Sequence, residues 1–372
     1  MSEQLTMFAK EKSLVEYHLS ILTFSVTSGP LKNRLSIILG VIAIALCTVM
    51  IICHLKRSSG DVDLNYMMAL LATAGFSEYL MKCVCGIYKS KEFWKLFEEI
   101  EHLYQDEESD EELTTVLAKH LKKSMEICNI CYIWIDRIYI ASGAMASIQL
   151  RLDDNIIIEL PFISTDDSFK DFLYVFQTCL IIVGILYMSK QDKALVFVGV
   201  HIIAELYILH NYMKLLNEKI NILPNFLKTI ISKHCNAIEN IKLLNKSLYE
   251  IAFVQFSFST VILLINLMFM RNVASEIACY LIFTCGILQV FPLCLFGEFI
   301  KMKTEKLSET LYLTNWYDLS LKDQKTFLII LTMAHREYGL KAAGLYDVNV
   351  YAFVQIVKIA MSYCAILYTL SK

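Results

Sequence analysis

Residues 35–53 have the sequence LSIILGVIAIALCTVMIIC, in which no residue is charged. A helix that spans a bilayer needs about 20 predominantly apolar residues, so this stretch predicts a membrane helix. Residues 251–270 and 277–297 form two further uncharged stretches of similar length. Because such runs exceed the apolar stripe of an ordinary buried helix, they predict an all-α membrane protein.

The composition of the whole chain agrees with this prediction. Of its 372 residues, 56% are hydrophobic and only 19% are charged, whereas soluble domains average roughly 25% charged residues. With 12 Gly and 4 Pro, the chain is not collagen-like or rich in linkers. The formal net charge of −3 provides no attraction for nucleic acid, and we expect no nucleic-acid partner.

Four more regions are apolar enough to be membrane spans. Three of them contain one to three charged residues each and cover residues 64–88, 126–150 and 348–370. The fourth region, from residue 172 to about 216, is apolar over two helix lengths, with a polar dip at residues 189–193. By length alone it could hold two spans or one long helix.

The distribution of positive charge favours one long helix. Residues 1–34, 88–125, 214–250 and 300–346 contain most of the 34 Lys and Arg residues. With seven spans, all four segments lie on one side, and the positive-inside rule makes that side cytoplasmic. Two spans within 172–216 would place the basic segment 300–346 outside. The sequence therefore predicts a cytoplasmic N-terminus and an extracellular C-terminus.

The predicted organisation is a cytoplasmic segment, residues 1–34, followed by a seven-transmembrane domain, residues 35–370. The inner loops are long and contain amphipathic patterns, so we expect helical extensions that pack beneath the membrane as an anchor domain. The seven spans cover about residues 35–54, 64–88, 126–150, 172–212, 251–270, 277–298 and 348–370.

No motif of enzyme chemistry is present. Gly-rich phosphate loops, HExxH and GxSxG are absent from the sequence. Most of the 12 cysteines lie in apolar runs, where Cys behaves as a small hydrophobe. Cys128 and Cys131 have half of a zinc spacing, but no second pair follows. We therefore expect neither an enzyme nor a metal or cofactor.

Charged residues inside the predicted spans allow alternative functions. Residues 136–139, Asp-Arg-Ile-Tyr, resemble the Asp-Arg-Tyr motif of G-protein-coupled receptors, although here the motif lies in mid-span. Paired or hydrated charges inside the bundle are the simpler interpretation. Lys358 either snorkels to an interface or lies near an aqueous pathway. A transporter would predict internal repeats, which the sequence lacks.

The C-terminal region has a recognisable pattern. It contains Trp-Tyr-Asp-Leu at 316–319, Ala-Ala-Gly-Leu at 342–345, VYAFVQIVK at 350–358 and SYCAILYTL at 362–370. This pattern resembles the C-terminal signature of insect odorant receptors. Pro161, Gln177 and Asp192 agree in position with the same family. One departure is Glu-Tyr-Gly at 337–339, where many members have a proline.

Two related groups are distinguished by the same regions. Insect gustatory receptors end in a Thr-Tyr…Gln-Phe pattern, whereas this chain has Ser362-Tyr363 and Thr369-Leu370. The odorant co-receptor has a much longer loop between the fourth and fifth spans than the 214–250 segment here. The resemblance therefore implies a tuning subunit, which binds the odorant. A G-protein-coupled or gustatory-type chemoreceptor is the alternative.

The resemblance implies a ligand-gated cation channel in the plasma membrane of an olfactory sensory neuron. The tuning subunit would join the co-receptor in a heterotetramer, in the lipid bilayer, and the last span of each subunit would line the pore. Carried onto this sequence, the gate would consist of Ile366, Thr369 and Leu370, which share a helical face at spacings of three and four residues.

The resemblance also implies an odorant pocket in the outer half of the bundle. An apolar cavity with a few hydroxyl groups suits a small volatile molecule. The residues that match the family's pocket are Met67, Leu71, Ala74, Tyr139, Ser142, Gly143, Ala146, Tyr174, Gln177, Thr178, Ile181, Leu264, Met268, Tyr280 and Phe283.

Overall fold

The structure is a computed structural model. It describes residues 3–25, 30–57, 64–106, 108, 110–158, 167–220, 222–223, 225–272 and 277–370. Pro161, which the sequence analysis placed in the second outer loop, lies outside the described residues.

The described chain is almost entirely helical. The α-helices are α1 (Glu3–Leu22), α2 (Leu31–Arg57), α3 (Leu64–Tyr88), α4 (Ser90–Gln105), α5 (Glu111–Leu152), α6 (Asp167–Lys214), α7 (Leu216–Lys219), α8 (Phe226–Asn272), α9 (Ile277–Tyr312), α10 (Leu321–Ala334) and α11 (Val350–Leu370). A 3₁₀ turn, Trp316–Asp318, precedes α10, and two short antiparallel strands, β1 (Lys341–Ala342) and β2 (Tyr346–Asp347), precede α11.

Five of these helices are long and apolar enough to cross a membrane: α2, α3, α6, α8 and α9. They expose large apolar side chains, such as Leu39, Leu46 and Val49 on α2, which in a membrane face lipid rather than water. The apolar helix α11 and the helix α5, whose middle carries Asp136 and Arg137, complete the seven spans.

Helix α6 is a single helix of 48 residues that continues through the polar dip at 189–193. At a rise of 1.5 Å per residue it is about 72 Å long, more than twice the roughly 30 Å of a hydrocarbon core. Helices α5 and α8, with 42 and 47 residues, are also too long for the membrane alone. Part of each helix therefore extends beyond the bilayer.

The buried apolar residues form two large clusters. The bundle core contains Ile44, Met68, Tyr79, Ala146 and Ile181 and their neighbours from α2, α3, α5 and α6. The extension core holds the buried faces of α1 and α4 and the parts of α5, α6, α8 and α9 that extend beyond the bundle, and it also continues into the bundle. The extensions thus pack against one another rather than projecting separately.

The start of α5 shows how the extensions are fixed. Asp110 caps the helix, because its Oδ1 accepts hydrogen bonds from the backbone N–H groups of Glu112 and Leu113 at 3.1 and 3.2 Å. Lys219 also binds Asp110 at 2.9 Å, and Lys233 binds Glu108 at 2.8 Å. The pKa of Asp110 is lowered, and the hydrogen bond from Lys219 makes the largest contribution.

A tight turn directs the chain into α11. Gly344 has a φ of +68°, in the left-handed region that favours glycine. The N–H of the preceding residue, Ala343, donates to the carbonyl of Tyr249 at 2.9 Å. The N–H of Val348 donates to the carbonyl of Leu340 at 2.9 Å. The first bond attaches the turn to α8, and the second closes the hairpin just before α11 begins.

Gly86 provides a test of the packing between α1 and α3. A Cβ at this position would lie 2.0 Å from the carbonyl oxygen of Leu22, which is backbone and cannot rotate away. We expect Gly86→Ala to lower the free energy of unfolding by roughly 1–3 kcal/mol. The measurement is the thermal unfolding midpoint of the purified chain in detergent.

Gly75→Ala on the same helix is the matched control. A Cβ there would meet only the side chain of Met188, at an ordinary 3.6 Å. Because alanine favours a helix more than glycine does, this variant should be neutral or more stable by up to about 1 kcal/mol. Equal midpoints for the two variants would contradict the close contact.

Candidate ligand-binding site

A cavity of about 120 Å³ lies inside the bundle, between α3, α5, α6, α8 and α9. An engineered apolar cavity of roughly 150 Å³ is large enough to bind benzene, so this space can hold a small molecule. Its walls consist of Met68, Leu71, Ala72, Gly75, Phe76, Tyr139, Ser142, Ala146, Leu150, Ile157, Ile181, Ile185, Met188, Ile262, Ile282, Cys285, Gly286 and Gln289.

Few polar groups interrupt the apolar wall. The Ser142 hydroxyl donates to the carbonyl of Tyr139 at 3.0 Å and accepts from the Cys285 thiol at 3.2 Å. The Oε1 atom of Gln289 is buried and has no hydrogen-bond partner among the described residues. A ligand hydroxyl could donate to that oxygen and remove the cost of leaving it unpaired.

Several residues that the sequence analysis assigned to the pocket meet at this cavity. Leu71 comes from α3, and Ile181 comes from α6. Tyr139, Ser142 and Ala146 come from α5. Gly143 lies just behind the wall, because a Cβ on it would come within 2.6 Å of the Ile185 side chain.

The other assigned residues lie outside this wall. On α3 the wall contains Met68 and Gly75, one residue beyond the assigned Met67 and Ala74. On α9 it contains Ile282, Cys285, Gly286 and Gln289, whose spacing of three and four residues defines one face. The remaining assigned residues outside the wall are Tyr174, Gln177, Thr178, Leu264, Met268, Tyr280 and Phe283.

Gln177 has a different position, beside the segment that closes one end of the cavity. Its Oε1 accepts from the backbone N–H groups of Ile157 and Ile158 at 2.9 and 3.3 Å. Its Nε2 donates to the carbonyl of Asn155 at 3.2 Å. Ile157 is itself a wall residue. Gln177 therefore holds residues 155–158 in place without lining the cavity itself.

A buried charged cluster lies beside the cavity wall. The Tyr139 hydroxyl donates to Oδ2 of Asp192, and Lys82 binds the other oxygen of Asp192 at 3.1 Å. Lys82 also lies 2.8 Å from Glu78, one turn earlier on α3. We call Glu78, Lys82, Tyr139 and Asp192 the charge cluster; it connects α3, α5 and α6.

The mid-span Asp-Arg pair is also accounted for. Asp136 forms an ion pair with Lys193 and accepts from the Ser189 hydroxyl at 3.3 Å. Arg137 lies over the ring of Trp134, 5.9 Å from its centre. Asp136 therefore has a partner on α6, as expected for a charge inside a bundle.

Helix α11 carries the residues assigned to the gate. Ile356 and Ala360 are buried against the rest of the chain, whereas Lys358 and Ile366 are exposed. Thr369 is exposed too, and its hydroxyl donates to the carbonyl of Ile366 at 2.8 Å. The side chain of Leu370 lies outside the described residues. One face of α11 thus remains uncovered in this single chain.

Removing the cation of the charge cluster should destabilise the protein strongly. Lys82→Met leaves Glu78 and Asp192 buried without their positive partner, which typically costs roughly 3–5 kcal/mol. We expect a large fall in the thermal unfolding midpoint. Adding Asp192→Asn removes one of the two uncompensated carboxylates and should restore part of the loss. A double variant less stable than Lys82→Met would contradict this assignment.

Comparisons with known proteins identify the family. The model of the 7tm odorant receptor family matches residues 63–361. The chain is 26% identical to odorant receptor 33b of Drosophila melanogaster over 137 residues, 36% of each protein. It is 27% identical to odorant receptor 33c of the same species over 143 residues, 37% of each. The matched stretch thus spans about a third of these curated relatives.

Solved structures share the whole fold. The insect olfactory receptor OR5 from Machilis hrabei in complex with eugenol matches with a TM-score of 0.78. The match covers 98% of this chain and 99% of that receptor, at 14% sequence identity. Another structure of the same receptor matches with a TM-score of 0.70. With its family match over most of its length, this chain belongs to the insect odorant receptors, multi-pass membrane receptors of olfaction rather than enzymes.

Proposed function

We propose that this chain is the odorant-binding subunit of a cation channel and that its ligand occupies the 120 Å³ cavity. The observation that carries the proposal is a small apolar cavity inside the bundle. A cavity of this size favours a molecule with few non-hydrogen atoms, well below the drug-sized ligands that fill roughly 300–1,000 Å³. The volume and the apolar wall together favour a small, volatile, hydrophobic ligand.

The polar groups of the wall suggest which ligands bind best. Ser142 and Gln289 can each hydrogen-bond a ligand hydroxyl or carbonyl. Shape alone discriminates weakly, because one methylene changes the binding free energy by only about 1–3 kcal/mol. We therefore expect a group of related odorants rather than a single compound to activate the receptor. The related receptor from Machilis hrabei was solved in complex with eugenol.

Tyr139 connects the proposed ligand cavity with the charge cluster. Its ring lines the cavity, while its hydroxyl holds Asp192 of the charge cluster. A ligand that fits one arrangement of Tyr139 better than another shifts the receptor toward that arrangement. Because the charge cluster connects α3, α5 and α6, such a shift changes how these helices pack.

The pore is proposed to form where α11 meets the same helix of neighbouring subunits. The uncovered face of α11 suits a role at a central axis, and an apolar ring at Ile366 can block ions by excluding water. We propose that the subunit assembles with the odorant co-receptor as a heterotetramer in the plasma membrane of a sensory neuron. The N-terminus is proposed to be cytoplasmic, from the distribution of Lys and Arg.

Filling the cavity tests the ligand site. In cells that express this chain with an odorant co-receptor, Ala146→Leu should raise the half-maximal concentration of an activating odorant at least tenfold, because the added atoms occupy the ligand's space. Whole-cell current measures the effect. Ala144→Leu is the matched control, since Ala144 lies on the same helix outside the wall. Equal shifts in both variants would place the ligand elsewhere.

A shorter side chain at the proposed gate tests whether the chain forms part of an ion channel. Ile366→Ala should raise the current measured without odorant, because a wider apolar ring is wetted more easily. Recordings are made with G-protein signalling blocked, with and without the co-receptor. Ile133→Ala, at an exposed position on α5, should leave this current unchanged. A current that disappears under the block would support the G-protein-coupled alternative.

A further inference from the structure

A second, larger cavity lies between α5, α6 and α9, away from the cavity proposed to bind the odorant, which we call the odorant cavity. Its volume is about 410 Å³. We call it the lateral groove. Its walls consist of His120, Lys123, Ser124, Ile127, Ile130, Cys131, Trp134, Ile135, Val196, Val200, Ile203, Ala204, Tyr207, Leu288, Pro292, Leu295, Phe296 and Phe299.

The lateral groove opens to the side of the bundle. Along its rim Ile130, Trp134 and Phe299 are 57%, 55% and 39% exposed. These residues lie in or next to the spans predicted at 126–150 and 277–298. The opening therefore faces the hydrocarbon region, where exposed apolar side chains meet lipid rather than water.

The end of the groove toward the extensions is basic. Lys123 and Lys303 lie within one or two turns beyond the same predicted spans, at the level of lipid headgroups. The Lys303 ammonium lies 3.5 Å from the ring centre of Tyr207. The His120 ring stacks on the same tyrosine, with the two ring centres 5.7 Å apart. Lys119 is close by. Among the described residues, Lys119, Lys123 and Lys303 form no ion pair.

The protonation of His120 is consistent with this concentration of positive charge. Burial, followed by the charges of Lys119, Lys123 and Lys303, lowers the pKa of His120 below its ordinary value. His120 is therefore neutral at pH 7, and its Nε2 accepts a hydrogen bond from Asn211 at 2.7 Å. The lysines, rather than the histidine, supply the positive charge available to an anion.

We propose that the lateral groove binds an anionic phospholipid, with an acyl chain along the apolar wall and the headgroup at Lys123 and Lys303. Basic pockets between membrane helices bind anionic headgroups in this manner. A neutral odorant would gain nothing from the lysines. The groove uses the Ile127–Trp134 side of α5, whereas the odorant cavity uses Tyr139, Ser142 and Ala146, so the two sites are separate.

The test uses the full-length chain, co-assembled with the co-receptor, in nanodiscs of phosphatidylcholine and phosphatidylserine. Either lipid carries a photoreactive group on its acyl chain, and mass spectrometry locates the adducts. We expect adducts at residues 127–135 and 288–299, with phosphatidylserine preferred. A lysine near an anionic surface contributes about 1 kcal/mol to headgroup binding. We therefore expect the double variant Lys123→Gln with Lys303→Gln to lower the preference for phosphatidylserine about 30-fold.

Lys122→Gln with Lys301→Gln is the matched control, since it removes the same charge from the same helices. Lys123 is a wall residue and Lys303 lies over the ring of the wall residue Tyr207, whereas Lys122 and Lys301 are not wall residues. The preference of this control for phosphatidylserine should equal that of the unchanged chain. Only variants whose thermal unfolding midpoint equals that of the unchanged chain are compared. Equal labelling by both lipids would overturn the proposal, because it indicates ordinary solvation by the bilayer. Absence of lipid adducts from residues 127–135 and 288–299 would also overturn it.

Discussion

The ion pair between Lys82 and Asp192 is the constraint on which the bundle depends. A charged side chain in an apolar bundle is stable only when its partners satisfy it, so α3 and α6 must meet where these two residues face each other. Tyr139 then fixes α5 to the same point. The cavity proposed to bind the odorant is adjacent to this junction, with Tyr139 in its wall. This buried cluster therefore joins α3, α5 and α6 at one level, next to the cavity proposed to bind the ligand.

The length of the helices connects this site with the rest of the molecule. Helices α5, α6 and α8 run continuously from the bundle into the extensions, where the extension core packs them together. A change in packing at the charge cluster would therefore act on continuous helices rather than on loops. The turn before α11 hydrogen-bonds to Tyr249 on α8, so the proposed pore helix is attached to the same set of helices.

Much of the fold was predictable from the sequence, because a bilayer requires long uncharged helices and favours Lys and Arg in the loops on one side. The single helix α6 followed from this charge distribution. The cavity wall was predictable only in part. Membrane helices are apolar on several faces, so periodicity does not distinguish Met67 from Met68. The pairing of Lys82 with Asp192 joins residues 110 positions apart, and neither residue alone indicates its partner. Gln177 was assigned to ligand contact, but its neighbourhood shows a structural use.

In the proposed receptor, the ligand occupies the cavity beside the charge cluster. The most direct test is an electron cryo-microscopy structure of this subunit assembled with the co-receptor, determined with and without an activating odorant. We expect ligand density bounded by Tyr139, Ala146 and Ile157, and a changed position of Tyr139 relative to Asp192. Ligand density at another site, with this cavity unchanged between the two structures, would contradict a ligand site at Tyr139.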